Sequence, residues 1–257
     1  AGLADHQLGA RAEQGDMPRR RREQAGGELG AGLLVVADHR ADMRRVQRAV
    51  HRDHRQPGEG DAAGQPQTDA EDLRGATFIG CTFADTTLEA ATLASTRWLD
   101  CRAARAQLQR ADCTDARWHR CDLNNTDWTR ARLSSALFAE VKLTGAHFRE
   151  AHTLGLEFHE SLLVGADLRG LSFRKQTLVQ LDLSEADLGG CDFRDALFEG
   201  GSLRDAHLKN ARFDGADLRG VDLGGLKLAQ VAPFFKGAII SSDQAAALVG
   251  ELGVRVL

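Results

Sequence analysis

Nine histidines, five cysteines and 37 acidic residues are the groups in this 257-residue chain that could bind a metal, attack a substrate or move a proton. Such chemistry needs several of them to converge on one point in a concave, partly dry pocket. The sequence has no CxxC, no HExxH and no phosphate-cradling glycine loop. Cys81, Cys101 and Cys121 recur at intervals of 20, and His119 with His159, or His147 with His207, are separated by larger multiples of the same interval. Whether any of these groups can meet depends on the elements that carry them.

The positioning pattern has a period of five. Stepping from Leu73 to Leu228 gives 32 consecutive positions without an insertion, of which 17 are Leu, nine Phe and three Trp; only Ala103, Cys113 and Thr153 depart. Two residues before each sits a mostly small residue, such as Ala76, Cys81, Thr86 or Ala91. All five cysteines fall at one of these two positions. Neither the 3.6-residue period of a helix nor the two-residue period of a strand fits. A short extended side followed by a turn does, with one large and one small group inward per side. Sorted by twenties, the central residues form ladders, one of them Phe78, Trp98, Trp118, Phe138, Phe158, Leu178, Phe198 and Leu218. Four sides per coil and eight coils are therefore expected, in a stack about 38 Å long at ordinary strand spacing.

Units such as "ADLRG" (166–170 and 216–220), "ADLGG" (186–190) and "CDLNN" (121–125) resemble the A(D/N)Lxx pattern of the pentapeptide-repeat family over roughly residues 71–230. The resemblance implies an all-β fold, a right-handed quadrilateral β-helix. On such a coil the histidine pairs lie two or three coils apart, about 10 Å or more, too far for one metal with bonds of about 2 Å. The core-phased cysteines read as buried free thiols, small hydrophobes in a reducing cytosol. A core filled by its own side chains leaves no pocket, so no enzyme activity, cofactor or metal is expected.

Both ends of a coil stack need covers. In "SSDQAAALVGELG", Ser241 with Gln244 three residues on forms a capping box and Gly253 can stop the helix. Leu248, Val249 and Leu252, then Val254, Val256 and Leu257, make this end apolar, which suits either an intramolecular cap or a dimer seam. Residues 1–70 lack the five-residue phase and contain eleven Arg, eleven acidic residues and no aromatic residue. This arm reads as largely disordered, with one candidate amphipathic helix at 32–52 and a linker at 56–69. The run of four Arg at 19–22 reads as a solvated charge run. No run of 18 apolar residues exists, so no membrane span is expected.

The close of the chain, "DLRGVDLGGLKL" then "DQAAALVGELGVRV", resembles the quinolone-resistance pentapeptide proteins. That resemblance implies a homodimer through the C-terminal end, with Leu248, Leu252, Val254 and Val256 as candidates. It also implies a cytoplasmic protein that binds a type II topoisomerase, DNA gyrase or topoisomerase IV, by imitating DNA. Outward carboxylates would then stand in for phosphates. Residues 71–150 balance at 11 acidic and 11 basic, whereas 151–230 carry 13 acidic and nine basic, so imitation is expected only in the second half. The candidates are Glu157, Glu160 and Glu199 on one side and Asp182, Glu185, Asp205 and Asp222 on the next. Asp167, Asp187, Asp217 and Asp222 belong to the repeat pattern and are also read as backbone partners. Projecting loops are absent, a departure from some quinolone-resistance relatives. "HTLGLEFHESLLVG" (152–165) departs most from the repeat and is expected to be a distorted coil or a partner contact. The basic spot of Arg102, Arg105, Arg117, His119 and Arg120 is balanced by neighbouring acids, so direct nucleic-acid binding is not expected. The second functional reading is an interaction scaffold with another protein partner.

Overall fold

Each five-residue unit turns the chain through one corner. Every multiple of five from Gly75 to Gly225 takes a positive φ, between 47° and 85°, and 20 of these residues are not glycine. A left-handed residue costs an ordinary side chain about 1–2 kcal/mol, so the packing and coil-to-coil bonds of the repeat must more than offset that cost at each turn. Three of the four corners are closed by a bond from the next small residue to the central carbonyl, as in Thr86 N to Phe83 O at 3.2 Å and Ala91 N to Leu88 O at 3.1 Å. With the positive φ at the third residue, this is the geometry of a type II turn.

At the fourth corner a Cys or Ser, in the coils that have one, ties the turn with its side chain. Cys101 Sγ donates to Leu99 O at 3.3 Å, Cys121 Sγ to His119 O at 3.4 Å and Ser161 Oγ to His159 O at 2.7 Å. These corner thiols are buried and free, as are Cys113 and Cys191. Burial holds the Cys113 thiol well above its ordinary pKa and pushes Cys191 up to about 12.

The computed structural model describes residues 34–36 and 73–255. One face carries the strands β1 (Leu34–Val36), β2 (Thr77–Ile79), β3 (Arg97–Leu99), β4 (Arg117–His119), β5 (Leu137–Ala139), β6 (Glu157–His159), β7 (Thr177–Val179) and β8 (Leu197–Glu199). They form one parallel sheet in sequence order. From β2 onward register advances by 20, as in Phe78↔Trp98↔Trp118. Single bridges at the same spacing continue the other three faces: Thr82↔Arg102↔Asp122, Thr87↔Gln107↔Asp127 and Thr92↔Asp112↔Arg132. The quadrilateral β-helix is thus observed. Six full turns lie between β2 and β8, fewer than the eight coils expected. The corners continue past β8 as far as Gly225, and Leu228 then opens the helix α1 (Leu228–Val231) instead of a further side.

Thirty of the 32 central residues are buried; Thr153 and Leu228 are half-buried. Phe78, Trp98, Trp118, Phe138, Phe158 and Phe198 form the expected ladder, with Trp118 and Phe138 stacked at 4.5 Å and 6°. Trp128 meets Trp118 edge-on at 5.2 Å. Where a Trp fills the core, its small neighbour is sometimes chosen to suit. Trp128 Nε1 donates to Thr126 Oγ1 at 2.7 Å, and that hydroxyl donates to Leu123 O at 2.7 Å. Trp98, Thr96 and Leu93 repeat the arrangement.

Two parts of the fold correct the sequence reading. Leu34–Val36 is a strand paired with Thr77–Ile79, not the start of a helix; the sequence Leu-Val-Val has high strand propensity, and the pairing extends the sheet by one strand beyond the first coil on the strand face. The remainder of the arm, including the candidate helix beyond Val36, the linker and the arginine run, lies outside the described residues. Leu248, a dimer candidate, is buried in its own chain's core, so it serves the cap and is not presented to a second copy.

The C-terminal helix α2 (Ser242–Gly250) has the expected capping box, with Ser241 as N-cap and Gln244 bonded back to it. Gly253 takes φ 77° just beyond its end.

Candidate partner-binding surface

Outward positions carry nearly all the charge, and most of it is already engaged. The Asp before a central residue accepts from the amide two residues on: Asp187 from Gly189 N at 3.1 Å, Asp217 from Arg219 N at 3.1 Å and Asp222 from Gly224 N at 2.8 Å. These are Asx turns, local ties that hold the corner. Asp167 does the same for Arg169 and also takes Arg149 Nε at 2.5 Å and Arg169 Nη2 at 2.7 Å. Arg169, then Arg149, hold its carboxyl well below the usual range. Arg194 likewise lowers Asp192 to about 2.

A second set of ties crosses one coil. Arg105 pairs with Asp85 at 2.5 Å, Arg120 with Asp100 at 2.7 Å and Arg130 with Glu150 at 2.7 Å, each across 20 residues. That spacing was a usable sequence signal: opposite charges 20 apart at one turn position stack directly over each other. His119 lies 3.0 Å from Glu140. The basic spot around Trp118 is thereby partly neutralised.

What remains is segregated. On the strand face and the face that follows it, eight charged residues have no side-chain hydrogen bond or ion pair among the described residues. Arg97, Arg102, Arg117 and Lys142 lie in the N-terminal half, and Glu160, Glu185, Glu199 and Asp205 in the C-terminal half. Arg97 and Arg117 are register partners in adjacent strands, two like charges stacked.

The seven candidate acids therefore separate. Glu160, Glu185, Glu199 and Asp205 are exposed and unengaged. Glu157 is exposed and 3.5 Å from His159. Asp182 is half-buried and accepts from Ser184 N at 3.0 Å, and Asp222 pairs with Arg204 at 2.8 Å. Among the dimer candidates Leu252 and Val254 are exposed, and Val256 lies outside the described residues.

The irregular stretch is a distorted coil. Leu154 is 85% exposed and Leu162 41%, while Val164 is half-buried. The β6–β7 ladder keeps one residue pair, His159↔Val179. Gln176 occupies a small inward position, and its Nε2 donates to Leu156 O at 3.2 Å. No cluster of three or more metal-capable side chains occurs among the described residues, and no described helix is long and apolar enough to cross a membrane.

Comparison with known proteins agrees with this architecture. Trypsin-treated QnrB1, a plasmid-mediated fluoroquinolone resistance protein, superimposes with a TM-score of 0.65 at 23% identity, over 74% of this chain and 94% of that one. Full-length QnrB1 gives 0.64 at 22% identity, over 70% and 92%. No curated protein matches the sequence. Residues 71–148 match the family described as pentapeptide repeat region, and 157–195 and 186–225 match pentapeptide repeats in eight copies. With the five-residue turn, the inward Leu and Phe ladders and the sequence matches in agreement, the chain belongs to the pentapeptide-repeat family.

Proposed function

We propose that this protein acts by binding, without catalysis, and that its partner is a type II topoisomerase, DNA gyrase or topoisomerase IV, whose DNA-binding groove it enters as a partial DNA mimic. The observation that carries this reading is the gathering of four unengaged carboxylates, Glu160, Glu185, Glu199 and Asp205, on two adjacent faces of the C-terminal half. Duplex DNA presents one charge per about 1.7 Å, so the coil imitates DNA only locally, where these acids meet lysines and arginines of the enzyme. Glu157, beside His159, extends the same surface. The likeness to QnrB1 suggests protection against a topoisomerase-targeting drug. Two copies joined at the C-terminal end through Leu252 and Val254 would place their acidic halves on either side of the junction.

The test is inhibition of gyrase supercoiling by the full chain, with and without a quinolone, at two salt concentrations. Inhibition that weakens with salt and is lost when Glu160, Glu185, Glu199 and Asp205 are changed to Lys supports mimicry. Inhibition unchanged by that substitution, or none at tens of micromolar, overturns it. The second reading, a scaffold for a different protein, is favoured by the exposure of Leu154 and Leu162 in the distorted coil. It predicts a partner lost with Leu162→Ser but kept with the charge reversals.

A further inference from the structure

The C-terminal end of the coil is covered on some faces and open on another. On the strand face the next rung is laid: Ile239 N donates to Ala216 O and Leu218 N to Ile239 O, both at 2.8 Å. On the third face it is missing, because the chain leaves the coil at Lys227 to form α1. One coil earlier, His207 N donates to Ala186 O, His207 O accepts from Leu188 N, and Lys209 O accepts from Gly190 N, at 2.9, 2.9 and 2.8 Å. The matching groups of the last rung, Ala206 O, Leu208 N–H and Asn210 N–H, have no partner among the described residues.

This bare rung does not face open water alone. It borders a groove of about 590 Å³ whose apolar lining includes Leu208, Leu226, Val231 and Phe234. The charged groups of the groove are Lys209 and Lys227, with His207, against the single carboxylate Asp205. An unpaired rung is a template for one more strand, and the basic excess selects the sign of what that strand carries.

We infer that this groove binds an extended acidic peptide segment of another protein, which adds the missing rung. One peptide residue takes the place His207 holds a coil earlier, giving its N–H to Ala206 O and its C=O to Leu208 N–H. The residue two further on accepts from Asn210 N–H. Alternate side chains of an extended strand point opposite ways, so apolar residues enter the groove while carboxylates meet Lys209 and Lys227. The inference is independent of the topoisomerase reading and shares with it only Asp205.

The probe is a capped heptapeptide alternating Val and Glu, titrated into the full chain by calorimetry, with a Val–Lys peptide as control. Amide exchange at Leu208 and Asn210 reports the site. Expected are saturable binding of the acidic peptide that weakens with salt, about tenfold or more discrimination against the basic one, and slowed exchange at both amides. Lys209→Glu with Lys227→Glu should reverse the preference. Ala229→Trp, at an exposed groove residue, should abolish binding while leaving the fold intact by circular dichroism. No binding at about 1 mM, equal binding of both peptides, or binding without protection of Leu208 and Asn210 would overturn the inference. Amides already protected in the unliganded protein and released on dilution would overturn it in favour of a second copy as occupant.

Discussion

Gln244 Nε2 donates to Val221 O at 2.8 Å, and the same amide reaches Leu218 O at 2.8 Å. Its Oε1 accepts from Ser241 N at 2.7 Å, completing the capping box of α2. One side chain thus braces the start of the last helix and bonds two carbonyls of the last coil: Val221 O, which the absent next rung would otherwise have paired, and Leu218 O, which also accepts from Val221 N. Buried carbonyls left unpaired cost about 1–3 kcal/mol each. Gln244→Ala should therefore lower stability by about 2–3 kcal/mol, read from the urea midpoint. Gln244→Glu keeps the oxygen that accepts from Ser241 but loses the donor, so its cost measures the two coil bonds.

Thr126 occupies a position where Ala is the commonest residue, and its hydroxyl gives Trp128 an acceptor. Thr126→Val keeps shape and removes the hydroxyl, leaving the buried indole N–H unpaired. A loss of about 1–3 kcal/mol is expected. In a double-mutant cycle, the same Val substitution on a Trp128→Phe background should cost clearly less, since no N–H remains to be stranded. Equal costs on the two backgrounds would show that the bond contributes nothing.

Gly201 has φ 87° at an inward position out of phase with the other turn residues, and a Cβ there would lie 2.2 Å from Leu181 O. Gly220 also has positive φ, 85°, but open space around its missing Cβ. Gly220→Ala should cost about 1–2 kcal/mol, the conformational penalty alone. Gly201→Ala must also move backbone against backbone and should cost clearly more, visible as a larger fall in Tm.

Asp167 and Asp192 have folded-state pKa values below the unfolded carboxylate value, through Arg169 with Arg149 and through Arg194. The depressed value means the folded state prefers the ionised form, so the stabilisation is complete above about pH 4. It is lost as pH falls toward about 2, where Asp192 protonates in the fold. Urea midpoints should be flat from pH 7 to 5 and decline below 4. Asp167→Asn should reduce the slope of that decline and lower stability at pH 7.

The residues that build the coil were legible because one phase governs them. Leu73 to Leu223 announce their inward position by type, and the Ser241–Gln244 box announces its helix. β1 was not legible, since Leu34–Val36 carries no phase and its partner at Thr77–Ile79 lies some 40 residues away in sequence. Nor was the role of Leu248 legible, because an apolar helix residue reads the same whether its own coil or another molecule covers it. For the candidate surface, sequence located the acidic half but not which acids remain unengaged. Asp182 and Asp222 look like Glu185 and Asp205 as letters; Ser184 and Arg204 are what separate them.

The left-handed residue at every fifth position has one more consequence. Inside, the molecule repeats every five residues; outside, it repeats only every 20. Inserting a single residue would throw every later corner out of step. Inserting five would preserve the core while rotating all later surface chemistry by a quarter turn, carrying Glu185 and Glu199 away from Arg97 and Arg117. Only a whole added coil leaves both periods intact, so the molecule is a ruler that can be lengthened in graduations of one strand spacing and no finer.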